Sequence, residues 1–136
     1  MAEQFEEEYR DVLQNIEGVL IPVYDEQPKM TDYSAIYAVE TLIKVYSAEL
    51  QGRTAAIPQF QTHEKEAYTH VKAICDWRLG RGTMKDEKGR EMDLGLEPIT
   101  VEEIIDCLKR IRKSIEFWQK RGGRRAYYEY VSQFIK

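Results

Sequence analysis

The sequence predicts an all-α fold, a helical bundle of four main helices plus a shorter C-terminal helix. Three observations carry it. Apolar residues recur at steps of three and four through five separate stretches, each the pattern of a helix with one buried face. All four prolines and seven of the eight glycines fall between those stretches, where they end helices rather than interrupt them. No segment alternates apolar and polar residues well enough to read as a convincing strand.

The first helix is expected from Glu3 to Leu20, with Phe5, Tyr9, Val12, Leu13, Ile16 and Leu20 on its apolar face. Glu6, Glu7, Glu8 and Asp11 sit near its start, where the positive end of the helix dipole stabilises negative charge. Pro22 and Pro28 then force an extended linker or packed loop. Thr31 or Asp32 caps a second helix, whose stripe is Ile36, Val39, Leu42, Ile43, Tyr46 and Leu50 and whose end is Gly52. After Pro58, Gln61 or Thr62 opens a third helix with Ala67, Val71, Ile74 and either Cys75 or Trp77 inward, stopped by Gly80 and Gly82.

Residues 80–98 are dense in charge and glycine and are expected as an exposed, mobile loop, with a short hairpin turning at Lys88 and Gly89 as the alternative. The fourth helix has the sharpest boundary. Thr100 and Glu103 form a capping box, and Ile99 and Ile104 are placed for a hydrophobic staple. Ile104, Leu108, Ile111, Ile115 and Trp118 then define a seam of the kind that packs in a left-handed bundle or coiled coil. Gly122 and Gly123 end it, and a last helix from about Arg124 to Ile135 carries Tyr127, Tyr128, Val131, Phe134 and Ile135.

A chain of 136 residues with 43% apolar side chains matches one domain, residues 1–136, able to bury a single core. No apolar run approaches the roughly 20 residues a bilayer span requires, and the acidic start is unlike a signal peptide, so a soluble cytoplasmic protein without membrane contact is expected. Cys75 and Cys107 lack metal-ligand or paired spacing and read as reduced thiols. Charge is strongly polarised. Residues 1–107 hold 11 basic against 22 acidic side chains, a net −11, whereas residues 108–136 hold nine against two, a net +7. Such polarity suits a polyanionic partner, or the neutralisation of one end by acidic helices of the same chain or of a second copy.

The stretch 118–134, WQKRGGRRAYYEYVSQF, is the main candidate site. Unpaired N–H groups at a helix start bind anions, and Gly122 and Gly123 would allow close approach. Arg121, Arg124 and Arg125 supply forks for phosphate, while Trp118, Tyr127, Tyr128 and Tyr130 could stack bases. Lys109, Arg110, Arg112, Lys113 and Lys120 extend the basic surface. The competing reading makes Gly122-Gly123 a helix joint, the late cations complements of the helix dipole, and the tyrosines core or interface. Arg124 and Arg125 stand where the dipole disfavours cations, which implies a negative group nearby.

His63, Glu66 and His70 are weak metal candidates, since their spacing places them on one helical face but lacks the further inward carboxylates of a carboxylate-bundle metal site. No nucleophile elbow, P-loop or dinucleotide fingerprint is present, and no cofactor is implied. Tyr33, Tyr37, Tyr46 and Tyr68 read as core packing or as the walls of a ligand cavity. The expectation is a non-enzymatic interaction module whose partner is a second copy in a homodimer, with nucleic-acid or phosphate-ligand binding by the C-terminal region as the alternative.

Overall fold

The computed structural model describes residues 10–29, 32–92 and 97–133. Its elements are α1 (Arg10–Leu20), a 3-10 turn (Ile21–Tyr24), α2 (Tyr33–Leu50), α3 (Thr62–Arg78), α4 (Val101–Gln119) and α5 (Gly123–Ser132). The fold is the predicted all-α bundle. Thr31, the start of the first helix before Arg10, and Phe134 with Ile135 lie outside the described residues.

α1 and α2 each pack on both α3 and α4, so α1 faces α2 across one diagonal of the bundle and α3 faces α4 across the other. Side-chain contacts give the directions. Glu17 of α1 meets Ser114 of α4, and Val23 just beyond α1 meets Gln119, so those two helices run parallel. Tyr46 bonds Asp76 and Glu49 pairs with Arg81, so the C-terminal ends of α2 and α3 lie together and these helices are parallel as well. The connection 51–61 must therefore travel back along the bundle. α4 returns from the end of α3 in the opposite direction, its approach held by Ile99 N–H on the Arg78 carbonyl at 3.0 Å and by the buried Arg78 guanidinium on the Glu97 carbonyl at 2.9 Å.

Local chemistry explains the boundaries. Thr100 N–H donates to Glu103 at 2.9 Å and Glu103 N–H donates to Thr100 Oγ1 at 3.2 Å, completing the predicted box, and Ile99 and Ile104 both pack on the core. Gln61 opens α3, its N–H donating to Glu64 at 3.3 Å. Asp32 precedes α2 but turns its carboxylate back to the Lys29 N–H at 2.8 Å instead of capping the helix. In the 80–98 segment, of which 80–92 and 97–98 are described, the chain turns at Lys88 and Gly89 with a single bridge. Lys85 and Glu91 make an antiparallel bridge, and the Asp86 carboxylate accepts from the backbone N–H groups of Lys88 and Arg90, which closes the turn.

Two helix faces differ from their periodic readings. Val39, Leu42 and Tyr46 of α2 are buried as the stripe requires, but Leu50 is half-exposed while Ser34, Ala35, Ala38, Thr41 and Ala48 are buried. A single stripe suits a helix with one covered face; α2 packs on both α3 and α4, so more of its circumference is buried than one stripe covers. On α3 both Cys75 and Trp77 are buried, since its end is enclosed on two sides.

The Glu49–Arg81 pair joins the α2 end to the residue beyond α3 through two parallel bonds of 2.8 and 2.7 Å. Hydrogen bonding from Arg81 holds the Glu49 carboxyl below its usual range. A depressed folded-state value contributes stability above the unfolded value and loses it as pH falls through the folded one. Because both side chains are well exposed, the contribution is about 0.5 kcal/mol at most. Urea unfolding of wild type and Glu49→Gln is expected to show that small difference at pH 7 and none at pH 2.

Candidate functional site

The stretch 118–134 folds as a corner. α4 ends with Lys120 N–H on the Glu116 carbonyl and Arg121 N–H on the Trp118 carbonyl, while the Arg121 guanidinium donates to the Phe117 carbonyl at 3.2 Å and lies 3.8 Å from the centre of the Phe117 ring. These contacts satisfy the orphan carbonyls of the helix end. Gly122 (φ +104) and Gly123 (φ +68) then reverse the chain into α5.

Gly123 is buried against the chain's own backbone. A Cβ there would sit 2.9 Å from the Tyr24 carbonyl oxygen, 3.0 Å from Asp25 Cα and 3.2 Å from Glu26 N. The close approach that Gly123 allows is thus taken by residues 24–26, at the end of the 3-10 turn and just beyond it. The negative group implied beside Arg124 is Asp25, whose carboxylate lies 3.4 Å from the guanidinium. Arg125 pairs with Glu129 one turn along at 3.5 Å and remains largely exposed.

Behind the corner the aromatic residues divide. Tyr127 is buried, edge-on to Tyr24 at 4.9 Å, and its hydroxyl donates to Glu17 at 2.8 Å. Ser114 donates to the other Glu17 oxygen at 3.3 Å, and Gln119 donates to the Val23 carbonyl at 2.6 Å. α1, the 3-10 turn, α4 and α5 are tied together at this carboxylate. Burial, reinforced by the Glu17 charge, raises the hydroxyl pKa of both Tyr24 and Tyr127 far above the ordinary tyrosine value, so both keep their protons at any physiological pH.

Toward solvent, Trp118 links Phe117 at 5.0 Å and Tyr130 at 5.4 Å into one ring array that reaches Tyr127 at 5.7 Å. Phe117 is 44% and Tyr130 48% exposed. Tyr128, 52% exposed, stands on the opposite flank of α5, because residues two apart on a helix do not share a face. The corner therefore presents Phe117, Trp118 and Tyr130 as a patch with the Arg121 guanidinium on it.

The fourth-helix seam lies elsewhere. Ile104, Leu108, Ile111 and Ile115 are all buried in the chain's own core and only Trp118 at its end reaches the surface region. His63, Glu66 and His70 are all exposed on α3, and among the described residues no three His, Cys, Asp or Glu side chains are placed to hold a metal ion. Cys75 and Cys107 are both buried thiols; burial first, then the Asp76 charge, pushes the Cys75 thiol well up, away from nucleophilic use. Tyr46 and Tyr68 are core residues and Tyr33 and Tyr37 are exposed, so the four do not wall one cavity. An open groove of about 480 Å³ runs instead between the end of α2 and the start of α4, lined by Ser47, Leu50, Gln51, Glu102, Ile105, Asp106 and Lys109. Among the described residues no helix is long and apolar enough to cross a membrane.

Glu17, Ser114, Tyr24, Asp25 and Phe117 are the corner residues that sequence reasoning did not single out. Phe117 had a legible signal, as an aromatic residue beside Trp118 off the apolar seam. The chain matches no protein-family model, no curated protein and no solved structure.

Proposed function

We propose that the protein is a non-enzymatic interaction module that self-associates through the aromatic corner of α4 and α5. The observation that carries this reading is the exposed ring array of Phe117, Trp118 and Tyr130 with Arg121 seated on it. Aromatic and arginine side chains held rigidly by their neighbours are the residue types that dominate binding energy at protein interfaces. The partner is a second copy, whose acidic N-terminal part complements the basic end of the first. The same reading places the protein in the cytoplasm, where Cys75 and Cys107 stay reduced.

Sedimentation equilibrium across a wide concentration range tests it. Wild type is expected to shift from monomer to dimer, and Phe117→Ser combined with Tyr130→Ser to weaken association at least about tenfold, as loss of two aromatic anchors does. A wild type that stays monomeric at high concentration overturns the reading. Nucleic-acid or phosphate binding is the second reading, favoured by the exposed Arg125 guanidinium and the exposed side chains of Tyr128 and Tyr130. It requires affinity for labelled RNA or DNA that falls steeply with salt and is lost on reversing Arg121, Arg124 and Arg125 to Glu.

A further inference from the structure

We propose that residues 54–60 form a strap across the α2–α3 face whose closed state depends on seating one side chain, Phe60, and which opens locally while the bundle stays folded. Parallel α2 and α3 oblige the chain to run back along the whole length of α2, about 27 Å for its 18 residues. Residues 51–61 reach about 36 Å when fully extended, so the strap has little slack to form structure of its own. Accordingly, among the described residues none from Thr54 to Phe60 makes a backbone–backbone hydrogen bond.

Packing of Phe60 holds the strap to the bundle. Ile57 is 55% exposed and Pro58 and Gln59 point to solvent, whereas Phe60 packs on the core. Its ring stacks tilted on Tyr68 at 4.9 Å and edge-on to Tyr37 at 5.6 Å. The hydroxyl of Tyr68, the residue whose ring Phe60 lies against, is closed off from solvent and, among the described residues, has no hydrogen-bond partner. A buried hydroxyl without a partner opposes the state that buries it. Lifting Phe60 uncovers the Tyr68 ring, so the closed strap is favoured by ring contact, while the unpaired hydroxyl of that ring favours any opening that lets water reach it. Segments with few backbone bonds and few apolar contacts are those that open below the global unfolding free energy.

Chymotrypsin reads this opening directly. To cleave Phe60–Gln61 the protease must take the Phe60 ring into its own specificity pocket, which requires that the ring leave Tyr37 and Tyr68. Cleavage after Tyr46, buried in α2, reports global unfolding in the same digest. Relative to that internal reference, Tyr68→Phe, which removes the unpaired hydroxyl and keeps the ring, is expected to slow the Phe60 cut about fivefold. Tyr37→Ala, which removes half of the seat at a partly exposed position, is expected to speed it about fivefold. The proposal is overturned if the cut at Phe60 follows the cut at Tyr46 in all three proteins, or if Tyr68→Phe fails to slow it.

Discussion

Replacing Gly123 with alanine is expected to lower the unfolding free energy by about 3 kcal/mol, read as a shifted urea midpoint at unchanged slope. Two costs combine. A left-handed backbone conformation disfavours any Cβ by about 1–2 kcal/mol, and Gly123 has φ +68. The added methyl also meets the Tyr24 carbonyl oxygen at 2.9 Å and Asp25 Cα at 3.0 Å, which are backbone atoms that cannot rotate away. Gly122 provides the comparison. Its φ of +104 also disfavours alanine, but its Cβ would meet only the Ala126 methyl at 3.3 Å. Gly122→Ala should therefore cost less, about 1–2 kcal/mol. Trp118 fluorescence separates the two further: a displaced 3-10 turn disturbs Tyr24 and Tyr127, whose ring stands 5.7 Å from Trp118. Equal costs for the two substitutions would mean that the corner is not packed as described.

The same corner shows what was legible beforehand. Helix ends were readable where the determinant is local: Thr100 with Glu103, Gly52, and the Gly122-Gly123 break all act within a few residues of the boundary they set. The negative neighbour of Arg124 was inferable in kind from the helix dipole, but its identity as Asp25 was not, because it arrives from another element 99 positions earlier. Glu17 was invisible for the same reason. It lies 97 residues from Ser114 and 110 from Tyr127, and on a helical wheel it belongs to the polar face of α1. The parallel course of α2 and α3 also escaped the periodic pattern. That pattern records which side of a helix is apolar and not which way the helix points, and here the direction is set by a strap too poor in hydrogen bonds to announce itself.

Ile111→Ala provides the second large effect and decides how the seam of α4 is used. The spacing of Ile104, Leu108, Ile111 and Ile115 suits a helix paired with a second chain as well as one paired within its own bundle. In the structure Ile111 is fully buried by the chain itself, so truncation leaves a cavity in the core. The expected cost is about 3 kcal/mol, from lost transfer free energy together with incomplete collapse of the cavity. Its concentration dependence carries the argument. A core residue destabilises the monomer by the same amount at every protein concentration, whereas a residue at a dimer seam costs more where the dimer is populated, because association itself is then weakened. Urea unfolding of wild type and Ile111→Ala at two concentrations a hundredfold apart should give the same difference in midpoint, while the Phe117→Ser, Tyr130→Ser protein should differ from wild type only at the higher one. If Ile111→Ala instead differs from wild type only at the higher concentration, the seam is itself a surface through which copies meet.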